Sequence, residues 1–361
     1  MIWKALAGHL ILVASLSVGL EDLNRPLKNV AGGPATGTAV VAPGGLAIDR
    51  DGNLLILETL GLRVRKLDVK NRTIITVIGT GKRCCFVEGK PATAAALQLP
   101  QAIALDAAGD ILVADSVARL YRVDSKSGMI STVVRQTWST RDPSSPDLPH
   151  LPGGESIVRV AASSSDPHAP LYLLSSYGKI YSLIGKSISE FLGGEELREL
   201  HAWQLFSPSG MVVDSLGNLV IADKGSCRIL RIDTSSKSFS VLGGTGGCKA
   251  GAQTGAANTV ALNHPSSVTL DSADNVYFSS GPPYCVGRID AHTNLLTSIP
   301  GTCDARAGKT WAPSAVAVDT SGNIYIAMWH GNVVKKVDGT TGEITTVAGN
   351  GLPDVVVNPV D

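Results

Sequence analysis

The sequence predicts an all-β fold, a six-bladed β-propeller of four-stranded antiparallel blades. Three observations lead there: a motif repeated along the chain, a turn at a fixed place after it, and a composition suited to short strands. Self-similarity comes first, because a period of about 50 residues decides the architecture before any local reading does. Pro43-Gly44-Gly45-Leu46-Ala47-Ile48-Asp49 recurs as Pro100 to Asp106, Pro208 to Asp214, Pro265 to Asp271 and Pro313 to Asp319. Each Asp is followed by a turn rich in Gly, Asn and Asp, such as Arg50-Asp51-Gly52-Asn53 and Thr320-Ser321-Gly322-Asn323. These residue types tolerate positive φ, so the turn makes a hairpin. Gly contributes 39 of 361 residues and aromatics only 5%, a balance that favours strands joined by tight turns.

The elements follow in order within each unit. After the hairpin turn comes an apolar second strand, as in Leu54 to Leu57, Ile111 to Ala114, Leu219 to Ala222 and Ile324 to Ala327. A third strand such as Arg228 to Asp233 and a fourth such as Ile344 to Gly349 complete it. A sixth, degenerate copy lacks the Pro but keeps the order through Ser156–Ala161, Leu171–Leu174, Lys179–Leu183 and Ile188–Leu192. One such unit cannot cover both of its faces, whereas a closed ring of six covers every face and leaves only short edges. The expected organisation is a signal peptide over 1–20 and one propeller domain over 27–361, with blades near 43–81, 100–136, 155–194, 208–247, 265–303 and 313–351. Val30-Ala31-Gly32-Gly33 echoes Val347-Ala348-Gly349-Asn350. The chain therefore offers seven outer strands to six inner sets, and the sequence leaves open which segment closes the ring.

Met1 to Lys4 carry one positive charge, and Ala5 to Leu20 form an apolar run ending near small residues, the pattern of a secretory signal. No later segment is apolar enough to span a membrane. The expected location is therefore the secretory pathway or outside the cell. Asn71-Arg72-Thr73 is a glycosylation acceptor in an expected exposed turn. Lys plus Arg balance Asp plus Glu at 31 each, and basic clusters such as Arg63, Arg65 and Lys66 are short, so no nucleic-acid partner is expected.

Six cysteines in such a chain suggest disulfides. Cys227 and Cys285 fall in loops joining second to third strands, and Cys248 and Cys303 fall in the following between-blade loops, on the same face of a propeller. The expected bonds are Cys227–Cys248 and Cys285–Cys303. A four-cysteine metal site would need closely spaced ligand pairs that these positions lack. Adjacent Cys84 and Cys85 have no counterpart in their blade, and a vicinal bond, a bond between chains and free thiols all stay open.

The Pro-led strand with its terminal Asp, the Gly-Asn turn, and the later Ala-Asp followed by Arg (Ala114-Asp115 with Arg119, Ala222-Asp223 with Arg228) resemble the NHL-repeat family over nearly everything after the signal segment. Glu58 replaces that Asp in the first blade, and Ser175, Ser279 and Met328 depart from it. The resemblance implies a module that displays loops to a protein, peptide or glycan partner. Some six-bladed propellers are instead metal-dependent hydrolases or lyases, of the gluconolactonase, paraoxonase, strictosidine synthase-like and peptide-amidating lyase types. Membership of that group implies carboxylates, Asn or His at the starts of the innermost strands. Those starts here are Gly44, Gln101, Ser209, Ser266, Ser267 and Ser314, with a carboxylate only at Glu155. His201, His264 and His330 have no metal-ligand spacing, and neither a nucleophile elbow nor a phosphate loop is present. The expectation is therefore binding without a cofactor or metal. Tyr177, Tyr284, Trp329 and His330, all in second-to-third-strand loops, are its candidate ligand face. The polar segment from Thr137 to Gly154 is a further candidate recognition loop.

Overall fold

The computed structural model describes residues 33–83, 88–116, 119–136, 148–152, 155–193, 205–248, 254–282, 284–303 and 312–352. The expected signal segment, Cys84, Cys85, His201 and most of the 137–154 segment lie outside them. The described residues form six antiparallel sheets in chain order, the six-bladed propeller expected from the repeat.

Blade I comprises β1 (Gly33–Pro34), β2 (Pro43–Ile48), β3 (Leu54–Glu58), β4 (Arg63–Asp68) and β5 (Thr73–Ile78). Blade II comprises β6 (Lys90–Pro91), β7 (Pro100–Leu105), β8 (Ile111–Asp115), β9 (Arg119–Val123), β10 (Met129–Gln136) and β11 (His150–Leu151). Blade III is β12 (Ile157–Ala161), β13 (Leu171–Ser175), β14 (Ile180–Ile184) and β15 (Ser187–Leu192); blade IV is β16 (Pro208–Val213), β17 (Leu219–Asp223), β18 (Arg228–Ile232) and β19 (Phe239–Gly243). Blade V is β20 (Gly255–Ala256), β21 (Ser267–Leu270), β22 (Val276–Ser279), β23 (Val286–Ile289) and β24 (Leu295–Ser298). Blade VI is β25 (Pro313–Val318), β26 (Ile324–Met328), β27 (Val333–Val337) and β28 (Ile344–Ala348).

The Asp that ends each motif organises the hairpin after it. Asp49 Oδ1 accepts the amides of Asp51 (3.0 Å) and Asn53 (2.9 Å), and the same pair of bonds recurs at Asp106, Asp214, Asp271 and Asp319. The Asn at the end of the turn then reaches the outer hairpin: Asn275 Oδ1 accepts the Ala291 amide at 2.9 Å and Asn323 Oδ1 the Gly339 amide at 3.0 Å. A recurring turn thus joins inner and outer hairpins by satisfying backbone donors that the strands leave unpaired.

Apolar burial lies between blades. Leu57, Val64 and Ile78 of blade I pack with Val113 and Tyr121 of blade II. Leu54, Ile56 and Ile74 of blade I pack with Ala317, Tyr325 and Val334 of blade VI. The other four junctions have equivalent clusters. The I–VI junction is therefore filled like the covalently continuous ones.

The surplus outer strand adds a fifth strand to blade I, where Gly33–Pro34 pairs with Ile74–Thr73. Blade VI keeps its own β28. The two halves of the seam meet through the Gly349 amide, which donates to the Ala35 carbonyl at 3.0 Å, as Gly79 donates to Ala92 (3.0 Å) and Gly244 to Ala257 (2.9 Å) within the chain. All three glycines have φ near +90° (86, 92 and 93°), and a Cβ on each would overlap the carbonyl oxygen of Asn332, Leu62 or Cys227. Glycine is required there on both counts.

Candidate functional site

The innermost strands set the position of everything in the ring's centre, and in blades I, II and IV a buried acidic side chain at the end of the second strand stands beside the chain that enters them. Asp115 Oδ2 accepts the Gln98 amide at 2.5 Å. The backbone of Val41 stands in the same relation to Glu58, and that of Phe206 to Asp223, each favouring the charged carboxyl. Val41, Gln98 and Phe206 each lie two residues ahead of the motif Pro, and the residue between them adopts positive φ: Ala42 46°, Leu99 78°, Ser207 63°. The acidic residue of the Ala-Asp motif is thus an anchor for the incoming chain. Burial pushes the Glu58 and Asp223 carboxyls up, against the opposing pull of Arg63 and Arg65 on Glu58 and of Arg228 on Asp223. Arg63 and Arg65 are 2% and 0% exposed and pair with Glu58, while Lys66 pairs with Asp49 at 2.7 Å. This short basic cluster is internal wiring.

The six innermost strands enclose a central channel of about 530 Å3. Strand register places Gly45, Ala102, Arg159, Gly210, Ser267 and Ala315 at one level, opposite equivalent residues of their second strands. Five are small and the sixth is an arginine. Leu46, Ile103, Val160, Met211, Val268 and Val316 make an apolar level next to it. Arg159 Nη1 donates to the carbonyls of Val158 (2.6 Å) and Gln101 (3.4 Å). Arg159 is half-buried in the ring, and this desolvation pulls its pKa down to about 10, leaving it cationic at neutral pH. Among the described residues no carboxylate pairs with it.

The channel's other mouth, beside the first hairpin turns, carries Asp214, Asp271 and Asp274. Asp214 pairs with Arg231 at 2.7 Å, Asp271 accepts from Asn275 (2.8 Å) and the Tyr277 hydroxyl (3.2 Å), and Asp274 accepts from Ser215. At the strand-start mouth the channel is lined by Gly44, Gln101 and Ser314, whereas Glu155 is 5% exposed, turned away from the lining, and paired with Lys179 at 3.5 Å. Those residues do not fit a resident metal ion, which would need several converging carboxylate, Asn or His ligands. Cys227, Cys248 and His264 place ligand-type atoms within 4.8 Å of one another, but the two sulfurs are bonded to each other and are not thiolates.

Both expected disulfides are present, Cys227–Cys248 and Cys285–Cys303. They tie second-to-third-strand loops to the following between-blade segments. Bonds such as Gly281 N to Asn263 O (2.6 Å) and Ser176 N to Ser156 O (2.8 Å) put these loops and the blade starts on one face. Tyr177, Tyr284, Trp329 and His330 all lie in loops of that face, at blades III, V and VI. Tyr177 is 72% exposed, Tyr284 and Trp329 are half-buried, and His330 is exposed. The Trp329 ring lies so close over Gly44 of blade I that a Cβ there would overlap it, so it also seals the seam. Asn71 sits in the exposed outer hairpin turn of blade I, its amide donating to Asp68 at 2.8 Å.

Two features of the site escaped the sequence reading. Phe206, 55% exposed, lies on the same face as Tyr177; Leu205 beside it packs against Gly178. Arg159 was hidden by the degeneracy of blade III, although aligning its level with Gly45, Ala102, Gly210, Ser267 and Ala315 would have shown one large cation among small residues.

No known family's sequence profile matches the chain, and no curated protein matches it. Solved structures do. It is similar to an auxiliary nutrient-binding protein of Bacteroides ovatus ATCC 8483 (14% identity, 90% of this chain and 74% of that one, TM-score 0.60). It is also similar to a chain of a nidogen–laminin complex (15%, 81% and 92%, TM-score 0.56) and to virginiamycin B lyase of Staphylococcus aureus (13%, 87% and 86%, TM-score 0.51). At these identities the likeness is one of fold: the chain is a six-bladed β-propeller whose neighbours include both binding proteins and lyases.

Proposed function

We propose that the protein is a secreted binding module, an NHL-type propeller whose disulfide-carrying face presents a rim to a protein, peptide or glycan partner. The observation that carries this reading is the 72% exposure of Tyr177 on the face stapled by both disulfides. An aromatic ring held in water by a rigid scaffold loses little conformational entropy on binding and offers both apolar area and a hydroxyl. Phe206, Tyr284, Trp329 and His330 extend the rim. The two disulfides fit an extracellular protein, and no described helix is long and apolar enough to cross a membrane. Net charge of zero supports a partner other than nucleic acid. Asn71, exposed and away from this face, is the proposed glycan carrier. Binding would need neither metal nor cofactor.

The test is to probe the purified, disulfide-intact protein against a glycan array and a library of extracellular protein domains. A partner whose affinity falls at least tenfold in Tyr177→Ala, with thermal stability unchanged, supports the reading. Partners indifferent to Tyr177, Tyr284 and Trp329 substitutions would remove it.

A further inference from the structure

We propose that the central channel is a binding site for a small monoanionic organic molecule, a carboxylate with a neutral body, received by Arg159. This site is separate from the rim and does not depend on the rim reading.

A guanidinium enclosed by a protein ring normally has a carboxylate partner, because an uncompensated charge is expensive to keep from water. Among the described residues Arg159 has none: two backbone carbonyls occupy Nη1, and no described acceptor meets Nε or Nη2. Arg159 lines a channel of about 530 Å3, within the size of pockets that hold small ligands. The other five blades carry Gly45, Ala102, Gly210, Ser267 and Ala315 at the same level, so Arg159 is the one cation among these six positions.

The wall supplies further donors. Gln101 and Thr269 line the channel with no side-chain partner among the described residues, and the Ser267 oxygen, which accepts the Val316 amide at 3.3 Å, keeps its proton for donation. The level formed by Leu46, Ile103, Met211, Val268 and Val316 is apolar. At the Arg159 level one cation, neutral donors and an apolar neighbour match one negative charge on a neutral body, while Asp214, Asp271 and Asp274 at the other mouth disfavour a second one. A dianion such as phosphate would keep a net charge in the same enclosure, which argues for a carboxylate over phosphate or sulfate. The planar guanidinium also suits a planar carboxylate.

Isothermal titration calorimetry on the intact protein tests this with matched pairs: acetate and acetamide, benzoate and benzamide, glucuronate and glucose, with inorganic phosphate as a further probe. The expected result is one-to-one binding of at least one carboxylate, tenfold or more tighter than its neutral twin. Arg159→Met should abolish that preference, and Arg159→Lys should retain part of it. Circular dichroism and thermal melting establish that each variant is folded, and Arg159→Lys with wild-type melting keeps the test valid if Arg159→Met is unstable. The proposal is overturned if no carboxylate exceeds its twin, if the preference survives Arg159→Met, or if phosphate binds as tightly as the best carboxylate. Tyr177→Ala should leave carboxylate binding unchanged, so the rim and channel readings fail independently.

Discussion

Arg63 Nε donates to Glu58 Oε2 at 2.8 Å with both side chains at 2% exposure or less. The pair crosses the start of the β3–β4 hairpin, where other blades use Asp115 with Arg119 and Asp223 with Arg228. Removing the acid from a buried pair leaves its cation uncompensated, and here it also releases the chain leading into β2. Glu58→Ala is therefore expected to destabilise by about 3–5 kcal/mol, read from urea unfolding. A loss under about 1 kcal/mol would mean that the pair contributes little to holding blade I.

Gly349 closes the ring where no covalent bond does. Its φ of +86° and the Asn332 carbonyl above it both exclude a side chain, whereas Gly322, at φ +77°, has open space around it. Gly322→Ala should thus cost about 1 kcal/mol for the left-handed backbone alone, and Gly349→Ala clearly more. Equal losses from the two substitutions, measured by thermal unfolding, would contradict the seam as described.

Acid should weaken the outer hairpins. Asp68, Asp124, Asp233, Asp290 and Asp338 each begin such a turn, and hydrogen bonds from the residue three positions on hold their carboxyls below the usual range, Asp290 and Asp338 at about 2. The unfolded chain, with carboxyls near about 3.9, takes up protons first. Their stabilisation is therefore complete above about pH 4 and is lost as the pH falls towards about 2. Asp290→Asn keeps an acceptor but does not titrate, so its melting temperature should decline less between pH 4 and 2 than that of the wild type. An identical decline would assign the acid sensitivity to other groups.

Each disulfide closes a short loop, with sequence separations of 21 and 18. Replacing either pair by serine should lower stability by about 3 kcal/mol on the loop-entropy account. Hydrogen exchange should quicken first around Cys248 and Cys303, where the tethered segments lie. Unchanged melting in both variants would remove the bonds from the stability of this face.

The six-bladed ring was legible because its causes are local and repeated: the Pro, the terminal Asp and the Gly-Asn turn each fix a backbone angle or a hydrogen bond within a few residues. The disulfide pairs were legible for the same reason, since the repeat places Cys227 and Cys285 at equivalent positions. The closure was not, because Val30 to Gly33 and Val347 to Asn350 are equally good outer strands, and only three-dimensional pairing of Gly33 with Ile74 separates them. The left-handed residues ahead of each Pro were also missed. Ala42, Leu99, Ser207 and His264 carry no sequence signature for positive φ, and blade V shows it without a buried acid. Glu155 looked like a channel carboxylate by position, but the degenerate start of blade III turns it into the blade towards Lys179, and Arg159 takes the channel.

The seam between Gly349 and Ala35 repeats the Gly79–Ala92 and Gly244–Ala257 contacts, so where the polypeptide happens to be cut is almost immaterial to the ring. A circularly permuted gene that begins at another between-blade junction and joins residue 352 to residue 33 through a short linker would meet the same set of interfaces. No strand would have to be exchanged between first and last blades to make it close. By the same logic, duplication or loss of a whole repeat changes the number of identical joints and leaves the joint itself intact.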